Sequence, residues 1–317
     1  MKEGPFFRKF RQDKLVTIEQ LAIDTGLSQG FISKFERNQS DISISNFRLL
    51  LTALNVSEEE FWIALRNQEI PKNLKGNDLN IARIHAQVPF MTPFFQVSAL
   101  SNSKDVLPYL KKAKEMFKQF PTRKNRFVYL FFQSNKAILE NPIDKTTLHD
   151  SQLPIVHYLQ QVDEWGLYEC FLFELFTTAI DADLMLPLLK IGLNKSRSLA
   201  QNPIFYGLSF QILISAFTSL LARKRFDLAQ AVYNIFLQEP PVNASEVIMK
   251  DFLGGWLLIM KGQTSKGTKK WQKAIQSFKE LGMTKTANDL QDSLTQILKD
   301  KDQMMVLLMS RSNASEF

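Results

Sequence analysis

The sequence predicts an all-α protein in which five short N-terminal helices precede a repetitive stack of helix pairs. Three observations predict this class. Apolar residues recur at three- and four-residue spacing through most of the chain. Glycine and proline are scarce at 12 each among 317 residues. Helical segments after residue 150 repeat with a period of about 38 residues, which is typical of helical-repeat solenoids. The length exceeds that of a usual single core, so we expect two domains.

The stretch from Asp24 to Arg37 predicts a sharp turn followed by a short helix. Gly26 can adopt the positive φ at which one helix ends, and Ser28 can cap the next. Ile32 and Phe35 recur at helical spacing and are expected to face inward. The residues left to face outward are small or polar: Gln29, Gly30, Ser33, Lys34 and Arg37. This pattern favours a helix-turn-helix whose second helix enters the DNA major groove.

The chemistry of this outward face suits base recognition. Gln29 can read adenine, Lys34 can reach guanine O6 and N7, and Gly30 permits close approach. The residues predicted to bind DNA are Thr17, Ser28, Gln29, Gly30, Phe31, Ser33, Lys34 and Arg37. An ordinary helical hairpin with capped ends is the alternative interpretation.

The surrounding residues complete a module of about 66 residues. Thr17 is the expected N-cap of the preceding helix, with Gln20 as its capping-box partner. Phe6, Phe7 and Phe10 share one face of a first helix, and Ser45 and Ser57 are expected to begin two more helices. The prediction is a five-helix domain over residues 1–67.

The run L-A-x-x-x-G-x-S-x-x-x-I-S-K-F-E-R, from Leu21 onwards, resembles the phage-repressor type of helix-turn-helix. ISKFERNQSDIS, from Ile32 to Ser43, resembles the Rgg/MutR group of peptide-responsive transcriptional regulators. The general repressor pattern has a DNA-contacting Gln where this chain has Ile18, so the chain fits the Rgg-like subset better. The resemblance also implies a salt bridge between Arg11 and Glu36 that clamps the first and third helices.

Composition narrows the functional classes. The single cysteine, Cys170, excludes an internal disulfide and indicates a reducing compartment. No basic and apolar leader opens the chain, so we expect a cytoplasmic protein. The uncharged stretch from Ser198 to Ala222 is long enough to span a bilayer, but its polar residues favour a buried helix instead. No metal-ligand spacing, phosphate-binding loop or nucleophile elbow occurs, so neither catalysis nor a cofactor is expected.

The positive charge is unevenly distributed. Residues 1–66 carry nine basic and nine acidic residues, whereas residues 67–126 carry eleven against four. The remainder is neutral, so the middle section accounts for the net charge of +7. The basic run from Lys104 to Arg126 is either a solvated helix face or a source of additional phosphate contacts.

A linker is expected at residues 68–77, where IPKNLKGND begins at Ile70, and a second domain at residues 78–317. Helices are predicted in this domain at 78–100, 104–120, 123–140, 151–164, 167–179, 183–201, 203–223, 225–238, 244–261, 264–281 and 284–300.

The period suggests a tetratricopeptide-like solenoid. Tyr168, Tyr206 and Ala244 open successive first helices 38 residues apart, and Ala229 and Gly267 mark equivalent points of two second helices. The strict tetratricopeptide signature is absent. A degenerate version is what Rgg-like pheromone receptors show, and the segment from Lys261 to Gly282 also resembles theirs.

Solenoids of helix pairs offer a concave face that binds peptides. Lys136, Glu174 and Lys250 occupy equivalent places in first helices, with Gln211 beside the fourth equivalent position. These four residues are predicted to bind a short peptide. The alternative is that they solvate ordinary surface.

Two functions remain compatible with the sequence. The first is a homodimeric regulator that binds a pseudo-palindromic DNA operator and responds to a short peptide. The second is a helical-repeat scaffold that binds a protein partner, with the N-terminal helices as a docking module. Neither hypothesis involves a membrane.

Overall fold

The computed structural model describes residues 3–75, 79, 82–83, 86–94, 103–140, 146–202, 205 and 207–299. Regular structure in these ranges is entirely helical, which confirms the predicted all-α class. The chain divides into two compact units, the first reaching Thr92 and the second beginning at Pro93. The predicted domain limits at residues 67 and 78 stay a prediction, as does the linker between them.

In the described part of the first unit, five α-helices and a short 3-10 turn have defined bounds, and residues 79, 82–83 and 86–87 are also helical. Their bounds are α1 Glu3–Asp13, α2 Ile18–Thr25, α3 Gln29–Glu36, α4 Ile44–Ala53, α5 Glu58–Glu69 and the 3-10 turn Pro89–Met91. A hydroxyl side chain caps each of α2 to α5, contributing about 1 kcal/mol per helix.

Two details of capping differ from the prediction. The fourth helix begins at Ile44 rather than after Ser45, because the Ser43 side chain accepts the Asn46 amide hydrogen. The Gln20 side chain does not complete a capping box. Its amide donates instead to the carboxylate of Asp24, one helical turn further on, at 2.8 Å.

Aromatic side chains form the centre of the first unit. The Phe61 ring lies 5.0 Å from that of Phe47 and 5.2 Å from that of Phe6, measured between ring centroids. Gly4 allows α1 to approach α3, since a methyl group there would overlap the Phe35 carbonyl oxygen. The buried apolar core comprises Phe6, Phe7, Leu21, Ile32, Phe35, Phe47, Leu50, Leu51, Leu54, Val56, Phe61 and Leu65.

The second unit consists of helices joined mostly by short connections. Their bounds are α6 Ser103–Gln119, α7 Arg123–Glu140, α8 Thr146–Gln161, α9 Leu167–Phe176, α10 Ala182–Lys195, α11 Arg197–Ala200, α12 Leu208–Ala222, α13 Phe226–Gln238, α14 Ala244–Met260, α15 Thr264–Glu280 and α16 Thr284–Lys299.

Most predicted segments of this unit agree with the observed helices to within one residue. These are 104–120, 123–140, 225–238, 244–261, 264–281 and 284–300. The predicted segment 78–100 and Tyr206 lie largely outside the described residues. The remaining boundaries differ for identifiable reasons.

Tertiary hydrogen bonds shorten two predicted helices. The helix predicted over 167–179 ends at Phe176, because the Thr177 carbonyl accepts from Arg223 and Ser219. The segment 183–201 is split after Lys195, whose carbonyl accepts from the Trp165 amide instead of continuing the helical ladder.

Two other helices begin at different residues from those predicted. α12 begins at Leu208 rather than residue 203, since Gly207 adopts positive φ immediately before it. α8 begins at Thr146 and ends at Gln161, in place of the predicted 151–164.

Close packing between helices defines the repeat. α14 and α15 cross where Gly255 faces Gly267, and a methyl group on Gly267 would lie 2.5 Å from the Gly255 carbonyl oxygen. Ala229 is fully buried at the equivalent point of α13. The starts of α13 and α15, at Phe226 and Thr264, are 38 residues apart. The predicted period is therefore present in the second helices.

A partly buried arginine connects two helices in the middle of this unit. Arg223 follows α12, and its guanidinium donates to the carbonyls of Thr177 and Ile180 just after α9. Burial lowers the pKa of Arg223 to about 10. These bonds satisfy carbonyls left free at the end of α9 and hold that helix against α12.

Candidate DNA-binding face and candidate ligand face

The turn before α3 is held by local hydrogen bonds. Gly26 has a φ of +72°, and its amide donates to the Ala22 carbonyl at 2.9 Å. The Ser28 hydroxyl accepts from the Phe31 amide at 3.2 Å. Ile32 and Phe35 are buried in the core of the first unit. The orientation of α3 is therefore set by its cap and its inner face.

The outer face of α3 carries the predicted recognition residues. Gln29, Gly30, Lys34 and Arg37 are exposed, whereas Phe31 and Ser33 are partly buried. A methyl group on Gly30 would meet no atom within 4 Å. Packing within the described part of the chain does not require a glycine there. Close approach by an external partner would explain the glycine.

Two predicted contact residues also have internal roles. The Thr17 hydroxyl accepts from the Gln20 amide at 3.0 Å and caps α2. The Arg37 guanidinium donates to the Ser33 carbonyl at 3.1 Å and so lies back along α3. Both side chains remain on the surface, where they can also reach phosphates.

A buried ion pair joins α1 to α3. Arg11 Nε and Nη2 donate to the two carboxylate oxygens of Glu36 at 2.6 and 2.9 Å. Arg11 Nη1 also donates to the Val16 carbonyl at 2.7 Å. The two side chains are only 8% and 2% exposed. The guanidinium thus binds α3 and the α1–α2 connection at once.

The four predicted peptide-binding residues lie on different helices of the second unit. Lys136 is on α7, Glu174 on α9, Gln211 on α12 and Lys250 on α14. Gln211 is exposed. Lys136 forms an i,i+4 ion pair with Glu140 at 2.6 Å. Of these helices, α12 and α14 each pack against the helix that follows, α13 and α15, whereas α7 packs mainly against α6, which precedes it.

Lys250 has a structural role that the sequence did not indicate. Its ammonium donates to the Glu239 carbonyl at 3.0 Å, and it lies 5.5 Å from the centre of the Phe236 ring. It thereby satisfies a carbonyl just beyond the end of α13. Of the four predicted residues, Lys250 is the one most engaged within the fold.

Glu174 is the most unusual of the four. Its Oε1 atom is buried and has no hydrogen-bond partner in the described part of the chain. Burial raises its pKa to about 8, so the carboxyl is mostly protonated at neutral pH. Burial and the neighbouring Glu174 also raise the pKa of the Cys170 thiol, which keeps that thiol unreactive.

A polar network near the start of α9 was not predicted. The Tyr158 hydroxyl donates to Glu169, whose other oxygen accepts from the Gly166 amide at 2.9 Å. The Arg123 guanidinium lies 4.4 Å above the Tyr158 ring. The spacing Gly166-x-x-Glu169 is an N-terminal capping signal and is the one sequence feature that points to this network.

Neither a metal centre nor a membrane span occurs among the described residues. No group of three or more His, Cys, Asp and Glu side chains is arranged there to hold a metal ion. No helix in the same ranges has the length and apolar character needed to cross a membrane.

An N-terminal helix-turn-helix followed by packed helix pairs defines a class of helix-turn-helix transcriptional regulators. Residues 7–61 match a helix-turn-helix family model. Residues 109–292, more than half of the chain, match the C-terminal domain of the HTH-type transcriptional regulator Rgg. The chain therefore belongs to the Rgg family of transcriptional regulators. A comparison with curated proteins found no match.

Solved structures show the same fold. The SHP pheromone receptor Rgg2 of Streptococcus dysgalactiae is similar with a TM-score of 0.58 and 21% identity, over 93% of this chain and 99% of that one. A putative transcriptional regulator from Listeria monocytogenes EGD-e has a TM-score of 0.67 and 16% identity, over 95% and 98%. The PrgX/cCF10 complex has a TM-score of 0.56 and 16% identity, over 94% and 100%.

Replacing Glu174 with Gln should alter how stability depends on pH. The pKa of this carboxyl is raised from 4.5 to about 8 on folding. Between these values the unfolded chain releases a proton that the folded chain keeps, so the free energy of unfolding falls as pH rises. Glu174→Gln removes this decline, and its Tm at pH 7.5 should exceed that of the wild type by roughly 2–8 °C.

Calorimetry from pH 5 to 8 measures this effect. Glu164→Gln, at an exposed position, is the matched control and should follow the wild type. Parallel stability profiles for wild type and Glu174→Gln would contradict the assignment of a protonated, buried carboxyl.

Proposed function

We propose that this protein is a cytoplasmic, homodimeric regulator that binds a pseudo-palindromic operator and responds to a short peptide. The observation that carries the proposal is the exposed polar face of α3, held rigidly by a cap, a core and a buried ion pair. Membership of the Rgg family supports it. The proposed activity is binding alone, with no catalytic step and no cofactor.

The proposed reading residues have separate roles. Gln29 forms paired hydrogen bonds with adenine, and Lys34 donates to guanine. Gly30 leaves room for the groove wall. The other members of the set contact the backbone or sugar edges and fix the register of α3: Thr17, Ser28, Phe31, Ser33 and Arg37.

We propose a dimer because the exposed face of α3 is small. α3 has eight residues, so a single copy contacts only a few base pairs. Two copies related by a two-fold axis place two such helices in successive major grooves, about 34 Å apart. The operator should therefore be a pseudo-palindrome, with twofold symmetry matching that of the protein.

The proposed effector is a short peptide bound by the helical repeats. Rgg2 is described as a pheromone receptor, and PrgX has been solved in complex with cCF10. In this chain, Gln211 is exposed, and Lys136 and Glu174 lie on α7 and α9. We keep Lys250 in the proposed set, although its ammonium already donates to the Glu239 carbonyl within the fold.

The scaffold hypothesis is less well supported. It treats the N-terminal helices as a docking module and does not explain the exposed polar face of α3. The family match to the helix-turn-helix covers residues 7–61, which include all the proposed reading residues. A scaffold would retain partner binding without discriminating between DNA sequences.

Substitutions on α3 should weaken binding to a selected operator. Gln29→Ala and Lys34→Ala each remove a base contact, which should cost about 1–3 kcal/mol, or roughly 5- to 150-fold in affinity. Fluorescence anisotropy with labelled duplex measures the change. Gln291→Ala and Lys190→Ala replace exposed residues of the same types in the second unit and should bind as the wild type does. Equal affinities for all four variants would favour the scaffold.

A library of short linear peptides should contain sequences that bind the second unit and change DNA affinity. Because coupling between sites is reciprocal, an enriched peptide that alters operator affinity must itself bind differently when the operator is present. Titration calorimetry with and without operator measures both effects. Gln211→Ala should weaken peptide binding by about 0.5–1.5 kcal/mol, whereas Gln291→Ala should leave peptide binding unchanged. Enriched peptides that leave DNA affinity unchanged would contradict peptide control.

A further inference from the structure

A concentrated positive patch lies on one helical hairpin of the second unit. We define the basic hairpin as α6 together with the first turn of α7, residues 103–126. It contains eight basic residues and two acidic ones, Asp105 and Glu115. Its net charge of +6 nearly equals the +7 of the entire chain. The rest of the protein is therefore close to neutral.

The cations of the basic hairpin face solvent. The exposed members are Lys104, Lys111, Lys112, Lys114, Lys118, Arg123, Lys124 and Arg126. Lys104, Lys111 and Lys118 are spaced by seven residues, so they lie along one side of α6 with Lys114 beside them. At 1.5 Å per residue this stripe is about 21 Å long. That length matches several consecutive phosphates of one DNA strand.

Most of these charges lack an internal counter-ion. In the described part of the chain, no ion pair involves Lys111, Lys112, Lys114, Lys118, Lys124 or Arg126. Several cations elsewhere do form ion pairs: Arg48 with Glu58, Arg225 with Asp183, and Lys273 with Asp251. The first turn of α7 also lacks an acidic residue, although a helix N-terminus favours negative charge.

Stacked aromatic rings and buried apolar residues hold α6 against α7, so the stripe lies on a packed helix. Tyr109 of α6 stacks on Phe132 of α7 with ring centroids 5.7 Å apart, and Phe117 stacks on Tyr129 at 6.2 Å. Val106 and Ala113 are buried on the inner side of α6. The lysines are therefore held on the opposite side of a packed helix, facing solvent.

The charge of the helix-turn-helix domain is the reason for proposing DNA as the partner of the basic hairpin. Residues 1–66 have no net charge, yet association with duplex DNA depends on neutralising phosphates. We propose that the basic hairpin is a second DNA-binding surface, which contacts backbone phosphates of duplex flanking the operator. This inference rests on the proposed function. It assigns the sequence-independent part of binding to the second unit and the base reading to α3.

The experiment compares two triple variants. Lys111→Gln, Lys114→Gln and Lys118→Gln together remove three charges from the stripe. Lys266→Gln, Lys269→Gln and Lys279→Gln together remove three exposed charges from α15, another lysine-rich amphipathic helix. All six side chains are on the surface, so thermal unfolding should be unchanged. The second variant therefore controls for simple removal of positive charge.

Two duplexes serve as probes: the operator sequence selected from a random pool, and the same sequence extended by about 10 base pairs, one helical turn, on each side. Affinity is measured by anisotropy between about 50 and 200 mM NaCl.

On the extended duplex the stripe variant should show a weaker salt dependence. The slope of log K against log salt should become shallower by about 0.9 for each phosphate that the variant no longer neutralises. The α15 variant should behave as the wild type, and the two variants should agree on the short duplex.

Two results would overturn the inference. One is an identical salt slope for both triple variants on the extended duplex. The other is an equal weakening on both duplexes, which would place the contacts within the operator. If the stripe variant instead failed only to bind anionic phosphatidylglycerol vesicles, the occupant would be a lipid surface and the inference would be wrong.

The outcome is separable from that of the proposed function. If Gln29→Ala and Lys34→Ala also had no effect on the selected duplex, DNA recognition by α3 would itself fail. If those variants weakened binding and the stripe variant did not, only the second surface would be excluded.

Discussion

The bonds of the Arg11 guanidinium are the constraint on which the reading face depends. This one side chain binds both carboxylate oxygens of Glu36 and the Val16 carbonyl, so it holds α1, the α1–α2 connection and α3 together. A buried ion pair adds little net stability relative to an apolar replacement, but removal of one partner leaves an uncompensated charge and costs about 3–5 kcal/mol. We therefore expect the pair to act mainly by selecting one arrangement of the helices.

The second unit relies on a different principle. Its helices approach closely through glycine, as where Gly255 meets Gly267, and their free carbonyls are satisfied by long cationic side chains. Arg223 binds the carbonyls after α9, Lys195 binds those of Gln160 and Val162 at the end of α8, and Lys250 binds one after α13. Cations at helix C-termini also interact favourably with the helix dipole. Repeats built this way pack without the strict tetratricopeptide signature.

The charged side chains of the chain thus fall into two groups. Arg11, Arg223 and Lys250 are used within the fold. Lys34 of α3 and the cations of the basic hairpin face outward. This division is consistent with a regulator in which a neutral reading module is combined with a basic surface elsewhere in the chain. Such a combination separates specificity from electrostatic affinity, since base contacts discriminate and phosphate contacts do not.

Local signals predicted much of the fold. The caps at Thr17, Ser28 and Ser57 follow from hydroxyl side chains preceding amphipathic segments, and all three are present. The prediction that Ser45 begins the fourth helix was wrong, because Ser43, a hydroxyl residue two positions earlier, is the cap. The early end of α9 was also missed, since it depends on Arg223, 46 residues away.

The candidate sites divide in the same way. The exposed face of α3 could be predicted because helical periodicity determines which side chains face inward. The surroundings of Glu174 and Lys250 could not, because equivalence in a repeat fixes a position along the helix and not the neighbours of its side chain. In the described part of the chain, the Glu174 carboxyl has a buried oxygen without a hydrogen-bond partner. The Lys250 ammonium donates to the Glu239 carbonyl just beyond α13.

The most direct test of DNA recognition by α3 is selection of bound sequences from a random duplex pool by the purified protein near physiological salt. We expect enrichment of a two-fold related motif whose half-sites are centred about 34 Å apart, one turn of the double helix. Retention of DNA without sequence enrichment, weakening steeply with salt, would contradict recognition by α3, because phosphate contacts alone would then explain all binding.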